Sequence, residues 1–205
     1  MADAADAQAD AVGARVRRAE WEQPRAAGSV EPPGAPPRPW RLSGRMLVLD
    51  PADRVLLLRS RDPEYPEVGD WWEVPGGGVD PGEDTVDAAL REVLEETGIA
   101  VDRNCVVPAA TGGGPAVWSQ ELTYLWLGRR RWSRQAIHLA CPPVTPEPVA
   151  ELRYTPEEQA TFLVAEWVPV AEIRRLPRTF PDGLADLLPR LRAGEVLDAG
   201  FAVWC

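Results

Sequence analysis

The segment from Gly76 to Ile99, GGGVDPGEDTVDAALREVLEETGI, constrains the fold and chemistry of this 205-residue chain more than any other. Three glycines, predicted to lie in a loop, precede a stretch in which apolar side chains recur every three or four residues, namely Val86, Ala89, Leu90, Val93 and Thr97. This spacing predicts an amphipathic helix over residues 84–97. Gly98 stands where glycine commonly ends a helix.

The predicted helix also carries a concentration of acidic side chains. Glu92, Glu95 and Glu96 are three and four residues apart, which places their carboxylates on one helix face. We expect that face to lie opposite the apolar stripe. Neighbouring like charges repel, so the arrangement favours a bound cation, and carboxylate oxygens suit Mg²⁺. The alternative is an acidic face that only contacts solvent.

The overall charge limits what kind of partner the chain can have. The net charge is −10, which argues against a general nucleic-acid-binding protein. An anionic substrate would therefore need a cation between it and the protein. All 22 basic residues are arginine, so the chain has no lysine for a Walker-type phosphate loop or for Schiff-base chemistry.

The order of residues around the helix is more specific. Gly77 is followed by five residues and Glu83, then by seven residues and the run REVLEETGI, which ends at Ile99. This order resembles the signature box of the Nudix hydrolase superfamily at every defined position. The flanking stretches RMLVLDPADRVLLLRS, WWEVPGGGVDPGE and AEWVPVAEI are similar to other parts of that family. The resemblance implies an α/β fold, a Nudix-type α/β/α sandwich around a mixed β-sheet.

The resemblance also implies which atoms bind the metal. Glu92, Glu95 and Glu96 match the family's metal-binding glutamates, and the Gly76 carbonyl is a further expected ligand. Glycines at this point let the backbone approach a metal and a pyrophosphate closely. The expected cofactor is Mg²⁺, with Mn²⁺ as a second choice.

Three further residues are expected to support these ligands. Arg91 is placed to orient a glutamate, either Glu95 on the next turn or Glu83 before the helix. An ordinary surface ion pair of Arg91 with Asp87 or Glu95 is the alternative. Glu83 is interpreted as a support for the ligands and not as a ligand, and Gly77 has the same supporting role.

The implied reaction is hydrolysis of the pyrophosphate bond in a nucleoside diphosphate linked to another group, X. The second hypothesis is a Nudix-fold module that senses a nucleotide without cleaving it. Because the sequence keeps every box glutamate, it favours the enzyme. A third possibility is a diphosphate isomerase on the same scaffold. This sequence does not favour it, because it lacks the cysteine and the extra metal ligands that we would expect.

The general base is not fixed by the resemblance. Many family members supply a carboxylate from a later strand, but the matching stretch SRQAIHLAC has Gln135 and Ala136 there. The remaining candidates are Glu121, Glu157 and Glu158, of which we favour Glu158, and a box glutamate is a further option. The alternative for Glu157 and Glu158 is that they are acids at the start of a helix.

Substrate contacts are predicted from aromatic and basic residues. Trp71 and Trp72 are adjacent in a predicted strand and therefore point to opposite faces. We expect one to fill the core and Trp72 to stack on a nucleobase, with Arg59 as a second substrate contact. The run from Arg129 to Arg131 is either a contact for a terminal phosphate or a solvated turn.

The only histidine and the three cysteines are given structural interpretations. His138 alternates with apolar residues in a predicted strand, so we expect a structural role for it. Cys105, Cys141 and Cys205 have no metal or redox spacing and are expected to be reduced thiols.

The chain is expected to divide into three parts. Residues 1–39 are predicted to be a disordered or weakly helical tail with a Pro-rich linker, 40–192 the catalytic domain, and 193–205 a C-terminal tail. Within the domain we predict a hairpin over residues 45–60, strands over 71–75, 99–107, 116–128, 133–141 and 161–170, and a closing helix over 181–194. We expect a cytoplasmic protein, a small-molecule substrate and no stable nucleic-acid or membrane partner. The oligomeric state stays open, with a homodimer as one option.

Overall fold

A computed structural model describes residues 41–126 and 129–204, without the side chains of residues 125–130. The predicted tail over residues 1–39 lies outside the described residues. The strands are Arg41–Val48 (β1), Arg54–Ser60 (β2), Trp71–Glu73 (β3), Gly76–Gly78 (β4), Val117–Trp126 (β5), Arg129–Ala140 (β6), Phe162–Pro169 (β7), Thr179–Phe180 (β8) and Val196–Trp204 (β9). The α-helices are Thr85–Thr97 (α1), Pro156–Thr161 (α2) and Leu184–Arg192 (α3), and 3₁₀ turns cover Pro66–Val68, Arg103–Cys105 and Val170–Arg175.

The strands form two mixed sheets. The five-stranded sheet has the order β4-β1-β6-β5-β9, in which β1 pairs with β6 and β5 with β9 in parallel. The four-stranded sheet has the order β7-β2-β3-β8 and contains one parallel pair, β3 with β8. The α/β class is therefore confirmed, with the strands divided between two sheets where we expected one.

The first two strands show how the sheets separate. The predicted hairpin over residues 45–60 is wrong as a regular pair, because β1 joins the five-stranded sheet and β2 the four-stranded one. Next to the turn they are linked by an isolated antiparallel bridge between Leu49 and Val55. Over residues 46–48 of β1 and 55–58 of β2 buried apolar residues follow one another on both faces, so the pattern showed burial but not which neighbour each strand would choose.

Three other segments also differ from the expectations. The glycines at 76–78, predicted as a loop, form the edge strand β4 against β1. Residues 99–107, predicted as a strand, contain a 3₁₀ turn between two isolated bridges. The predicted C-terminal tail is wrong: β9 pairs with β5 along its length, and Val196 and Leu197 are buried in the core.

Helix α1 begins and ends as the sequence predicts. The Asp84 carboxylate accepts hydrogen bonds from the backbone N–H groups of Val86 and Asp87, which otherwise lack partners at a helix start. Gly98 closes the helix with a φ of 72°. The apolar stripe is buried between the sheets, where Val86, Ala89 and Val93 pack with Met46, Val48 and Leu56.

His138 ties the start of helix α1 to the five-stranded sheet. Its ring is fully buried, with Nδ1 at 3.1 Å from the Ala116 carbonyl oxygen and Nε2 at 3.0 Å from the Thr85 hydroxyl. Since a carbonyl only accepts, Nδ1 must carry the proton, and the Thr85 hydroxyl donates to Nε2. The expected structural role of His138 agrees with these bonds.

We predict that His138 makes the fold sensitive to acid. Burial lowers its pKa from 6.5 to about 4. Between these values the unfolded chain binds a proton that the native protein does not, so the free energy of unfolding falls as the pH falls. The expected contribution is about 3 kcal/mol over this interval. Urea unfolding from pH 7 to 4 measures it.

The control for this experiment is His138→Gln, which stays neutral over the whole range. The variant is less stable at pH 7 but should lose less stability on acidification than the unsubstituted protein. Equal pH slopes for the two proteins would show that His138 is not responsible.

None of the helices in the described part of the chain combines the length and hydropathy that a membrane span requires.

Candidate active site

Helix α1 directs two of its glutamates into the protein. Glu92 and Glu96 are only 8% and 3% exposed, and both line a cavity between the two sheets. Our expectation that the carboxylate face lies opposite the apolar stripe is therefore wrong for Glu92 and Glu96, which are buried beside the stripe, whereas Glu95 stays partly exposed. Charge alone suggested solvent exposure, whereas the cavity provides the space for these side chains.

The glycine strand β4 provides that space. The backbone N–H of Gly76 donates to Glu96 Oε2 at 2.9 Å. A Cβ atom at Gly77 would lie 2.3 Å from Glu92 Oε1, so a side chain there would displace the carboxylate. The sequence predicted that the glycine backbone would come close to the site. In the structure, the backbone of β4 comes close to Glu92 and Glu96. Gly76 lines the cavity as well.

Arg91 organises the carboxylates around it. Its guanidinium donates to Glu83 at 2.8 Å, to Glu92 at 2.9 Å and to Glu95 at 3.1 Å. It also donates to the Gly78 carbonyl oxygen at 2.8 Å. We left open whether Arg91 would hold Glu83 or Glu95, and the structure shows both contacts. Glu83 in turn accepts from the Asp80 backbone N–H, which fixes it to the loop before the helix.

The buried pair of glutamates is electrostatically costly. Burial raises the pKa of Glu96 well above its ordinary value, and the charge of Glu92 adds to this effect. Burial also raises the pKa of Glu92, although Arg91 opposes the shift. Among the described residues, no arginine lies within ion-pair distance of Glu96. The pair therefore lacks a full counter-charge from the protein.

Glu158 completes the cluster from a different element. One oxygen each of Glu92, Glu96 and Glu158 lie within 4.8 Å of one another. The same side chain caps helix α2, since Glu158 Oε2 accepts from the Thr155 N–H at 2.8 Å. The two interpretations of Glu158, a site carboxylate and a helix-start acid, are therefore compatible. Glu95 does not join this group and instead contacts Arg91.

This cluster fits a divalent metal ion. Three converging carboxylate oxygens, two of them on buried side chains, are the donor set that hard cations prefer. A bound cation would supply the positive counter-charge that is missing beside Glu96. The fit rests on Glu92, Glu96 and Glu158, and Gly76 lies beside them on the cavity wall.

The cavity beside the cluster has a volume of about 290 Å³. The cavity is lined by residues of the five-stranded sheet, of strands β3 and β8 and of helices α1 and α2. Arg41 and Arg131 line it from the five-stranded sheet and have no carboxylate partner among residues 41–126 and 129–204. Arg131 is thus the part of the predicted arginine run that reaches the cavity, while the side chains of Arg129 and Arg130 lie outside the description.

A polar network on the cavity wall could not be foreseen from the sequence. Arg45 Nε donates to Gln135 Oε1 at 3.0 Å, and Arg45 also pairs with Glu73 at 3.3 Å. Trp71 Nε1 donates to the other oxygen of Glu73 at 3.0 Å. Gln135 therefore stands where we expected a carboxylate and instead accepts from Arg45. The sequence signal was the polar residues at alternate positions 41, 43 and 45 of β1 and 131, 133 and 135 of β6.

The predicted substrate contacts lie elsewhere. Trp72 packs against the main core, and Arg59 lies over its ring at 6.0 Å while it pairs with Asp70. Neither lines the cavity, and Trp71 does so in place of Trp72. Trp71 and Trp72 point to opposite faces of β3, as predicted, but the sequence did not show which of the two would face the cavity.

The other two candidates for the general base, Glu121 and Glu157, differ in their position relative to the cavity. Glu121 pairs with Arg134 at 2.9 Å and does not line the cavity. Glu157 lines the cavity next to Glu158 but is not part of the carboxylate cluster.

A comparison with known protein families identifies the fold. A model of the NUDIX domain matches residues 39–191. The chain belongs to the Nudix family. The match covers helix α1, strand β4 and helix α2, and it ends before strand β9.

The chain is also similar to individual curated proteins. It is 35% identical over 106 residues to an RNA pyrophosphohydrolase from Erythrobacter litoralis, covering 51% of this chain and 63% of that protein. It is 43% identical over 53 residues to a Bacillus subtilis protein named as an 8-oxo-dGTP diphosphatase, covering 26% and 32%. The chain thus spans less than two thirds of the length of these curated relatives.

Among solved structures, a MutT protein from Bacillus halodurans matches with 23% identity and a TM-score of 0.48. This match covers 80% of this chain and 90% of that one.

Proposed function

We propose that this Nudix protein hydrolyses the pyrophosphate bond of a nucleoside diphosphate linked to a further group, X, with a divalent metal ion as cofactor. The observation that carries the proposal is the convergence of Glu92, Glu96 and Glu158 beside a cavity of about 290 Å³. Family membership supports the reaction class. The cavity is near the lower end of the size range for small-molecule sites.

Glu92 and Glu96 would hold the metal, and the Gly76 carbonyl and Glu95 remain predicted further ligands. Glu95 would have to turn away from Arg91 to take part. Mg²⁺ is the expected ion, with Mn²⁺ as the alternative, because the donors are oxygens. When bound, the ion neutralises phosphate oxygens and lowers the pKa of the attacking water.

The protein's own groups position the substrate and the proton. Arg41 and Arg131 line the cavity and have no carboxylate partner within the described part of the chain, so they are available to contact phosphate oxygens. Arg91 keeps Glu92 in place through its bonds to Glu83 and Gly78. Glu158, which lies opposite Glu92 and Glu96, would take the proton from water.

The group X stays open. One relative is an RNA pyrophosphohydrolase and another is named as an 8-oxo-dGTP diphosphatase. A panel with Mg²⁺ or Mn²⁺ tests the reaction and chooses between these classes. It should contain 8-oxo-dGTP, the common nucleoside triphosphates, nucleotide sugars, ADP-ribose, dinucleotide polyphosphates and a 5′-triphosphorylated RNA oligonucleotide. We expect metal-dependent phosphate, pyrophosphate or nucleotide release with at least one member.

Binding of several members without release from any of them would instead favour the nucleotide sensor. The cytoplasmic location remains a prediction, and a homodimer remains one option for the oligomeric state.

A separate experiment tests the base. We predict that Glu158→Gln lowers kcat by about 10²–10⁴-fold, the usual contribution of a general base. Metal affinity should stay near that of the unsubstituted protein, because Glu92 and Glu96 remain. Glutamine keeps the cap of helix α2, so the fold should persist.

The matched control is Glu157→Gln, a neighbouring cavity acid outside the cluster. A Glu158→Gln enzyme that lost metal binding along with activity would make Glu158 a ligand and not the base.

A further inference from the structure

Strand β9 lies beyond the residues that the family model matches, yet it builds part of the cavity. The match ends at residue 191, whereas β9 covers Val196–Trp204. The strand pairs in parallel with β5 and forms an edge of the five-stranded sheet. Its last residue, Trp204, lines the cavity.

The register of the sheet explains why Trp204 faces the cavity. Tyr124 on β5 lies opposite Arg131 on β6 and opposite Trp204 on β9. Residues directly opposite one another in neighbouring strands point to the same face of a sheet. All three line the cavity, so this row forms one continuous strip of its wall.

Neighbouring aromatic rings hold Trp204 in place. Its ring centroid lies 5.5 Å from that of Trp71 and 5.4 Å from that of Phe180, both in edge-to-face arrangements. Trp71 and Phe180 are each only 4% exposed, whereas Trp204 is partly exposed. The Arg178 guanidinium lies 4.2 Å from the Trp204 ring centroid. A fixed, partly exposed indole binds a planar ring at low entropic cost.

The cavity therefore has two chemically different parts. The carboxylates Glu92, Glu96 and Glu158 suit a metal and phosphates, while Trp71, Phe180 and Trp204 suit an aromatic ring. A nucleotide carries both kinds of group in one molecule. Arg41 and Arg131, which no carboxylate of residues 41–126 or 129–204 contacts, line the same cavity.

We propose that Trp204, held by Trp71 and Phe180, is the surface on which the nucleobase of the substrate stacks, so that the C-terminal strand determines the preference for ligands with a base. The proposal rests on the proposed function and specifies which part of the site takes the nucleoside. Because stacking on an indole tolerates every base, Trp204 gives affinity for nucleotides in general.

The test compares ligands with and without a base. The probes are AMP, GMP, CMP and UMP against ribose 5-phosphate, titrated into the full chain and followed by protein chemical shifts. Trp204→Leu keeps an apolar side chain against Trp71 and Phe180 but removes the aromatic face. We expect nucleotides to bind about tenfold more tightly than ribose 5-phosphate, and Trp204→Leu to remove that advantage.

Two further variants separate stacking from structure. Trp204→Phe keeps an aromatic face and should restore most of the preference. Val203→Ala is the matched control, since Val203 precedes Trp204, points to the other face and is 58% exposed. It should leave all affinities unchanged. In turnover experiments, Trp204→Leu should raise KM for the hydrolysed substrate about tenfold and change kcat little.

The outcomes distinguish this proposal from the proposed function. An unchanged base preference in Trp204→Leu, or no base preference in the unsubstituted protein, would overturn the role of Trp204 even if hydrolysis occurs. A base preference that depends on Trp204, with no metal-dependent hydrolysis across the substrate panel, would support the stacking site and remove the proposed reaction.

Discussion

Glu96→Gln is expected to reduce metal-dependent hydrolysis by on the order of 10³-fold, because the metal contributes several kcal/mol of transition-state stabilisation. Glu96 is 3% exposed and supplies one of the converging oxygens of the cluster. Glutamine has nearly the same shape, and its carbonyl can still accept the bond from the Gly76 N–H. The substitution therefore removes the charge and leaves the surrounding packing in place.

The same substitution should make the metal-free protein more stable. Glu96 is buried next to Glu92 without an arginine at ion-pair distance within the described chain, so its charge opposes folding. We expect a higher Tm for Glu96→Gln than for the unsubstituted protein when both are measured with a chelator. Loss of activity together with gain of stability is a pattern that a merely damaged fold would not produce.

Asp87→Asn is the control on the same helix. Asp87 pairs with Arg103 on the protein surface and does not line the cavity. This variant should keep nearly full activity. If Glu96→Gln turned over substrate at the unsubstituted rate, Glu96 would not be a metal ligand.

Gly44→Ala is expected to destabilise the fold by about 3 kcal/mol, the upper part of the range for overpacking. A Cβ atom at Gly44 would lie 2.0 Å from the Thr85 carbonyl oxygen and 3.2 Å from the Ala89 backbone nitrogen. These are backbone atoms of helix α1, so they cannot rotate away as a flexible side chain would. The methyl group would have to push helix α1 off strand β1.

Chemical denaturation measures this loss, and activity should fall with it because helix α1 carries Glu92 and Glu96. Gly69→Ala is the control: a Cβ atom there meets nothing within 4 Å, and its φ of 78° accounts for a cost of about 1 kcal/mol. If the two variants lost the same free energy of unfolding, helix α1 would not pack directly on Gly44.

Local features of the fold were predictable because local interactions decide them. The helix over residues 84–97 followed from apolar spacing, from Asp84 at its start and from Gly98 at its end, and the structure gives α1 almost the same bounds. Strands β5 and β6 followed from their apolar patterns, and the structure pairs them antiparallel. The family followed from the fixed spacings around Glu92.

Choices between equivalent neighbours were not predictable. A strand that is buried on both faces gives no sign of which sheet it enters, so β1 and β2 were wrongly paired. Alternation along β3 separates Trp71 from Trp72 but does not show which one meets the cavity. These outcomes depend on tertiary packing, which a short sequence pattern does not contain.

The helix glutamates of the carboxylate cluster could be singled out from the sequence, but their surroundings could not. Glu92 and Glu96 were identified from spacing, whereas their burial depends on the glycine strand β4, which was expected to be a loop. Arg45 and Gln135 meet across paired strands, and their bond is visible only once the register is known. Strand β9 was missed because nothing local distinguished it from a tail.

The most direct test of the account is a Mn²⁺ titration of the full chain followed by electron paramagnetic resonance, with Mg²⁺ as the competitor. Glu92→Gln/Glu96→Gln is compared with the unsubstituted protein and with Asp87→Asn. We predict that the unsubstituted protein and Asp87→Asn bind Mn²⁺ and that Mg²⁺ displaces it. The double variant should lose this binding. Mn²⁺ binding to the double variant with unchanged affinity would contradict a metal site at Glu92 and Glu96.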